Sequence, residues 1–250
     1  MKRIIKSFLV CLMLGAFSCG NAIAVPSWLV PAALRFMSNP DDFFFNLHLD
    51  NVDYSPARET SNGGLRLNLL ATTLPLTWAN MNLKVKVVGE NRIAGWGPQI
   101  DLVGSYGRIT ALDILPAMMD DEDDFTAPKM RDYSVGLTLT KAVSGETRLF
   151  AGYHHSVFAL DFVFPEEVEI AGDETLDALQ ISRRDNILVT GIRNNLGPRK
   201  SITAYMGYGF NYNKIFSRIV WHHRRLEVGF NIYPEGLLVV HPFLGLHWEL

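Results

Sequence analysis

The chain closes on "LLVVHPFLGLHWEL", Leu237 to Leu250, and its last seven residues alternate strictly. Leu244, Leu246, Trp248 and Leu250 are large and apolar, while Gly245, His247 and Glu249 stand between them. A repeat of two sends successive side chains to opposite faces of an extended backbone. The segment therefore predicts a β-strand with one apolar and one polar face, running to the final residue.

The same period recurs towards the N-terminus. "RLEVGFNIY" (225–233) sets Leu226, Val228, Phe230 and Ile232 against Arg225, Glu227, Gly229 and Asn231. "MNLKVKVVGE" (81–90) sets Leu83, Val85 and Val87 against Asn82, Lys84 and Lys86. "SITAYMGYGFNY" (201–212), "YSVGLTLT" (133–140), "QIDLVGSY" (99–106), "GLRLNLLAT" (64–72) and "FNLHLDN" (45–51) continue the pattern. With 148–164, 186–194 and 237–250 this makes about ten strands, roughly 8 to 12 allowing for uncertain boundaries. Turn residues separate them at Ser144-Gly145-Glu146, Asn195 to Pro198 and Pro234-Glu235-Gly236. Two connections are long and acidic, 113–125 and 165–180.

The other end of the chain places this β-domain in a compartment. Lys2, Arg3 and Lys6 precede an apolar run, and Ala22-Ile23-Ala24 is a small-x-small cleavage pattern. That is the layout of a secretory signal peptide, residues 1–24, with cleavage expected after Ala24. Both cysteines, Cys11 and Cys19, lie in this leader, so disulfides do not stabilise the expected mature chain. A segment from 25 to 42, open to a helical reading, leads into an expected barrel domain at 43–250. The formal charge of −3 carries no basic footprint, which excludes nucleic acid as an expected partner.

Alternation fits a soluble barrel and a membrane barrel equally, so the direction of the faces decides. The polar face carries charges of both signs, Arg66, Lys84, Lys86, Asp101, Arg225 and Glu227, suited to pairing across a narrow lumen. Aromatics gather near apolar strand ends, as an interfacial girdle requires. The terminal Leu244, Leu246, Trp248 and Leu250 resemble the sorting signal of Gram-negative outer-membrane β-barrels. That resemblance implies recognition of the last strand by the barrel-assembly machinery and residence among outer-membrane lipids. The expected fold is all-β: a closed, antiparallel, up-and-down transmembrane barrel. Ten strands with a periplasmic C-terminus put the short Pro234–Gly236 turn outside and the long acidic connections inside, the reverse of the usual asymmetry.

"RLFAGYHHSVFALDFVFP" (148–165) holds the one arrangement with chemistry in it. A carboxylate in lipid is costly, so Asp161 is expected in the lumen together with His155. His154 and Ser156 then share the outward face with Phe158 and Leu160. His154-x-Ser156 is similar to the motif of the outer-membrane lipid A deacylases, which implies a base-activated serine with an acid downstream, Glu166, Glu167 or Glu169. The polar-rim alternative assigns these residues no chemistry, and it is preferred. In "WHHRR" (221–225), His222 and Arg224 fall on the outward parity as contacts for lipid head groups. "DDEDD" (120–124) lacks calcium-loop spacing, so no metal and no cofactor is expected. The expected function is a small outer-membrane barrel with a structural, loop-mediated or narrow-pore role. The alternatives are a membrane-embedded lipid hydrolase using His154 and Ser156, and a soluble periplasmic binding barrel.

Overall fold

The computed structural model describes residues 40–58, 61–70, 78–109, 129–171, 174–197, 199–234 and 240–250. The leader and residues 25–39 lie outside them, as does the acidic run 120–124. One helix precedes ten strands: α1 (Pro40–Asn51), β1 (Gly63–Leu70), β2 (Trp78–Val88), β3 (Gln99–Ile109), β4 (Lys129–Ala142) and β5 (Thr147–Ala171), then β6 (Glu174–Gly197), β7 (Lys200–Gly209), β8 (Lys214–His223), β9 (Leu226–Ile232) and β10 (Val240–Glu249). Each strand pairs antiparallel with its neighbours in sequence, and β10 returns to β1 to close the barrel. At the seam Leu65 faces Trp248 and Leu67 faces Leu246 in register. Below it the backbone N–H of Leu250 donates to Gly63 O at 3.0 Å. Closure leaves no unpaired edge around the ring itself.

Two expectations about elements are corrected, and they cancel in the strand count. Residues 45–51 form no strand; they belong to α1. Pro40 opens the helix and Asp41 and Asp42 sit in its first turn, where a preset φ and negative charge are both favourable. Phe45, His48, Leu49 and Val52 then recur at helical spacing and are all buried. Conversely, 214–223 is a strand that its alternation did not announce. Its inward residues Phe216, Arg218, Val220 and His222 mix apolar and charged types, so neither face reads as polar. Phe216 lies across Gly207, its register partner, where a Cβ would overlap the ring.

Recovering β8 also reverses the assignment of the connections. The chain joins β3 to β4 and β5 to β6 at the end opposite the C-terminus, the far rim. The turns 89–98, 143–146 and 224–225 lie with the C-terminus at the near rim. The far rim is extended further, because β5 pairs with β4 only as far as Asp161 and β6 pairs with β7 only from Ile187. Beyond those points β5 and β6 continue as a two-stranded projection.

The wall is apolar outside and polar inside. Leu137, Met206, Ile219 and Phe230 project outward, each about half exposed. Arg66, Asp101, Arg218 and Glu227 point inward and are buried. The lumen is filled by the chain itself, with α1 in the far half and residues 52–58 continuing along it to the near rim. Phe45, Leu49 and Tyr54 pack with Phe150, Phe158, Ile187 and Phe216 into an apolar core. Each such side chain contributes about 1.5–3 kcal/mol on burial.

Candidate functional site in the barrel lumen

Residues 52–58 have no regular secondary structure, yet all but Arg58 are buried. A buried backbone needs partners for its N–H and C=O groups, and here the wall supplies them through side chains. Asn82 reads two positions: its Nδ2 donates to Asn51 O (2.9 Å) and its Oδ1 accepts from the N–H of Asp53 (2.8 Å). Lys84 Nζ donates to Asp53 Oδ2 (2.6 Å) and Ser55 Oγ (2.7 Å). Arg193 Nη2 donates to Pro56 O (2.9 Å), and the N–H of Ala57 donates to Asp101 Oδ2 (3.2 Å).

Arg218 terminates the helix. Its Nη1 donates to Val52 O at 2.7 Å and its Nη2 to Asp50 O at 2.5 Å and Leu49 O at 3.2 Å, while Nε engages Asn231. A cation on the last carbonyls satisfies otherwise orphaned acceptors and complements the helix dipole. Tyr233 Oη donates to Asp50 Oδ1 (2.5 Å), and His48 Nδ1 meets Asp132 Oδ1 (2.5 Å). Lys84, Asp101, Arg193 and Arg218 thus form a clasp on the plug.

The sequence-predicted residues separate on this frame. Arg66, Lys84, Asp101 and Glu227 are buried inside the barrel. Lys86 is half-buried towards the near end of β2, and Arg225 is exposed in the β8–β9 turn rather than lumenal. Asp161 is corrected: it is exposed on the outer parity of β5, opposite Lys129 in register. Its place at the far rim, where β5 leaves the wall, removes the cost of a carboxylate in lipid on which its inward assignment rested. Leu244, Leu246, Trp248 and Leu250 share the outer face of β10, opposite Phe243 and Gly245.

His154 and Ser156 are corrected with Asp161, since both are fully buried inside. Ser156 Oγ donates to Ser134 Oγ (2.9 Å) and lies 3.3 Å from Tyr54 Oη. The His154 ring meets Tyr54 edge-on and its Nε2 approaches Thr138 Oγ1 (3.4 Å). A Cβ at Gly136 or Gly152 would collide with the ring, so two glycines make its berth. The proposed acid Glu167 is displaced along β5 by on the order of 40 Å at strand rise. The side chains of Glu166, Glu167 and Glu169 are outside the described residues. His222, expected outside, is also buried within.

At the near rim, Arg58, Arg66, Lys84, Arg193 and Asp53 border a small recess with His222, Glu227 and His247. Arg66 Nε pairs with Glu227 Oε2 at 2.5 Å. His222 Nδ1 and His247 Nδ1 both face Glu227 Oε1, at 3.1 and 3.6 Å. Sequence reasoning took Glu227 as a lumenal charge and missed its two histidine partners. They come from β8 and β10, and only the register β8–β9–β10 brings them together. Compared with protein-family models, curated proteins and solved structures, the chain finds no match in any of the three.

Proposed function

We propose that this chain is an integral outer-membrane barrel sealed by its own N-terminal segment, and that it acts through what its far rim presents. One observation carries the reading: the inverted polarity of the wall. A continuous apolar exterior around a charged interior is unfavourable in water and favourable in lipid, where closure also satisfies every strand hydrogen bond. Aromatics support the same reading. Trp96, Trp221 and Trp248 lie towards the near rim, and Tyr106, Tyr133 and Phe210 towards the far one, as two interfacial belts require.

The filled lumen argues against a pore. The segments that follow β3 and end β5, at the far rim, are acidic in sequence: 113–128 and 161–180 carry thirteen Asp or Glu between them and no Lys, Arg or His. With the C-terminus in the periplasm, this polyanionic rim and the β5–β6 projection face outward, suited to cations or a basic partner. Burial of His154 and Ser156 against Tyr54 weighs against the hydrolase reading.

Fractionation of a Gram-negative host tests the proposal. The mature chain is expected in outer membranes, with heat-modifiable migration and no sustained conductance in planar bilayers. Recovery as a soluble periplasmic monomer overturns it, and stable channel openings overturn the plug. Lipid profiles of cells carrying wild type or Ser156→Ala are expected to be identical; a deacylated species lost in the variant restores the hydrolase.

A further inference from the structure

We propose that His222, Glu227 and His247 form a binding site for a divalent first-row transition ion, Zn²⁺ foremost. The proposal is independent of the membrane reading, since it needs only the register of β8, β9 and β10.

Three donor atoms, one from each residue, lie within 4.8 Å of one another. Zn²⁺ bound at about 2.0–2.2 Å to nitrogen and oxygen has tetrahedral donor separations of about 3.3 Å. The His222–Glu227 and His247–Glu227 distances, 3.1 and 3.6 Å, bracket that edge. Modest rotation of the imidazoles closes the remaining gap. The two rings stand nearly perpendicular, 78° apart, so their lone pairs approach from different directions.

The second observation is an unmet valence. Nδ1 of His222 and Nδ1 of His247 are both buried, and among the described residues neither has a hydrogen-bond partner of good geometry, although a carboxylate oxygen lies beside them. A buried polar atom left unsatisfied is costly, and two converging on one point mark a missing partner. At 3.6 Å the His247 contact to Glu227 is too long for a hydrogen bond, and at 3.1 Å His222 has the carboxylate as its one close neighbour on that side. A metal ion takes both lone pairs and the carboxylate oxygen at once.

The surroundings hold these donors ready. His222 Nε2 lies 3.5 Å from Thr203 Oγ1, which also accepts from Arg193 Nε at 3.2 Å. A proton on Nε2 directed at Thr203 leaves Nδ1 bare for the ion, the usual outer arrangement around a ligating histidine. Arg66 occupies Oε2 of Glu227 and leaves Oε1 free. The other cations around the recess are engaged: Lys84 by Asp53, Arg58 by Glu249 at 2.6 Å and Arg193 by plug carbonyls. Two imidazoles and one carboxylate suit Zn²⁺, Ni²⁺, Co²⁺ or Cu²⁺ and disfavour Mg²⁺ and Ca²⁺, which take oxygen. The fourth position opens on the recess.

The test is calorimetric titration of the untagged chain, folded in detergent micelles, with ZnCl₂, and with CoCl₂ to read the ligand-field absorption of Co²⁺. One equivalent is expected to bind, with a tetrahedral Co²⁺ spectrum and no competition from Mg²⁺. His247→Ala and Glu227→Gln are each expected to weaken binding at least tenfold. Thr203→Val, which touches no donor atom, is expected to weaken it by about tenfold. Near-UV circular dichroism identifies which variants have folded, and Thr203→Val or His247→Ala serves if Glu227→Gln has not. Zn²⁺ affinity in folded His247→Ala equal to wild type overturns the site, as does a wild type that binds no Zn²⁺ or prefers Mg²⁺.

Discussion

Arg218 of β8 holds the carbonyl of Val52 at 2.7 Å, so the helix inside the barrel is capped by a residue of the wall 166 positions away. Arg218→Met keeps the volume and removes every donor. Charge-assisted bonds to buried carbonyls contribute about 1.5–3 kcal/mol each, so a loss of at least about 3 kcal/mol is expected. Arg218→Lys should recover only part of it, since an ammonium lacks the planar fork that spans three carbonyls. Urea unfolding in detergent measures the loss, and hydrogen exchange should locate it in 48–58. Unchanged protection there would mean that the helix is held some other way.

Lys84 and Asp53 form a buried pair, and a double-mutant cycle separates its parts. Asp53→Ala leaves an ammonium buried without its counter-ion, with an expected cost of about 3–5 kcal/mol. Lys84→Met in the same background should recover a large share, because an apolar side chain asks for no partner. A double variant as unstable as the sum of the singles would show that the two residues do not interact.

Polarity of the wall is checked by moving one charge. Ile219→Arg, on the outer face at mid-strand, is expected to cost about 2–4 kcal/mol in a bilayer and to lower the yield of assembled barrel. Asp161→Arg, at the far rim, should assemble normally. Equal tolerance at the two positions would contradict the outward assignment of the apolar face.

Glu90 ties the β2–β3 turn to the next hairpin. It accepts from the N–H of Ala142 (2.9 Å) and from Arg148 Nη1 (2.7 Å), with Lys141 Nζ at 3.4 Å. Burial pushes its carboxyl up, but these donors outweigh it and hold the group below the ordinary glutamate range. A depressed folded pKa means that the stabilisation is fully present above the unfolded value and disappears as pH falls through the folded one. Hydrogen exchange in 89–98 should therefore rise on acidification below about pH 4. Glu90→Gln should show raised exchange already at neutral pH and little further change in acid.

Much of the wall was legible, because a strand with one face outward and the other towards the lumen obeys a period of two. What failed was the premise that the inside is uniformly polar. Asp161 was placed inward as a carboxylate, and that set the parity of the strand: His154, Ser156, Phe158 and Leu160 were read as outward, whereas Phe158 and Leu160 point inward to pack on the plug. The same apolar lumen hid β8 through Phe216 and Val220. The plug itself had no signature: Phe45, Leu47 and Leu49 satisfy a period of two over five residues as readily as a helix. Its partners Asn82, Lys84, Asp101, Arg193 and Arg218 are scattered over several strands. The cluster of His222, Glu227 and His247 is equally a product of register.

The seam between β1 and β10 has a consequence for time as well as shape. The plug enters the barrel immediately before β1, and the cations that hold it belong to strands between the two sides of the seam. A ring that sealed while empty would enclose Lys84, Arg193 and Arg218 without the carboxylate and carbonyls they bind, at several kcal/mol for each stranded charge. The energetics therefore favour an order of events in which the N-terminal segment is seated while the sheet is still open. The final strand, though last to be synthesised, then acts as the latch that commits a loaded barrel.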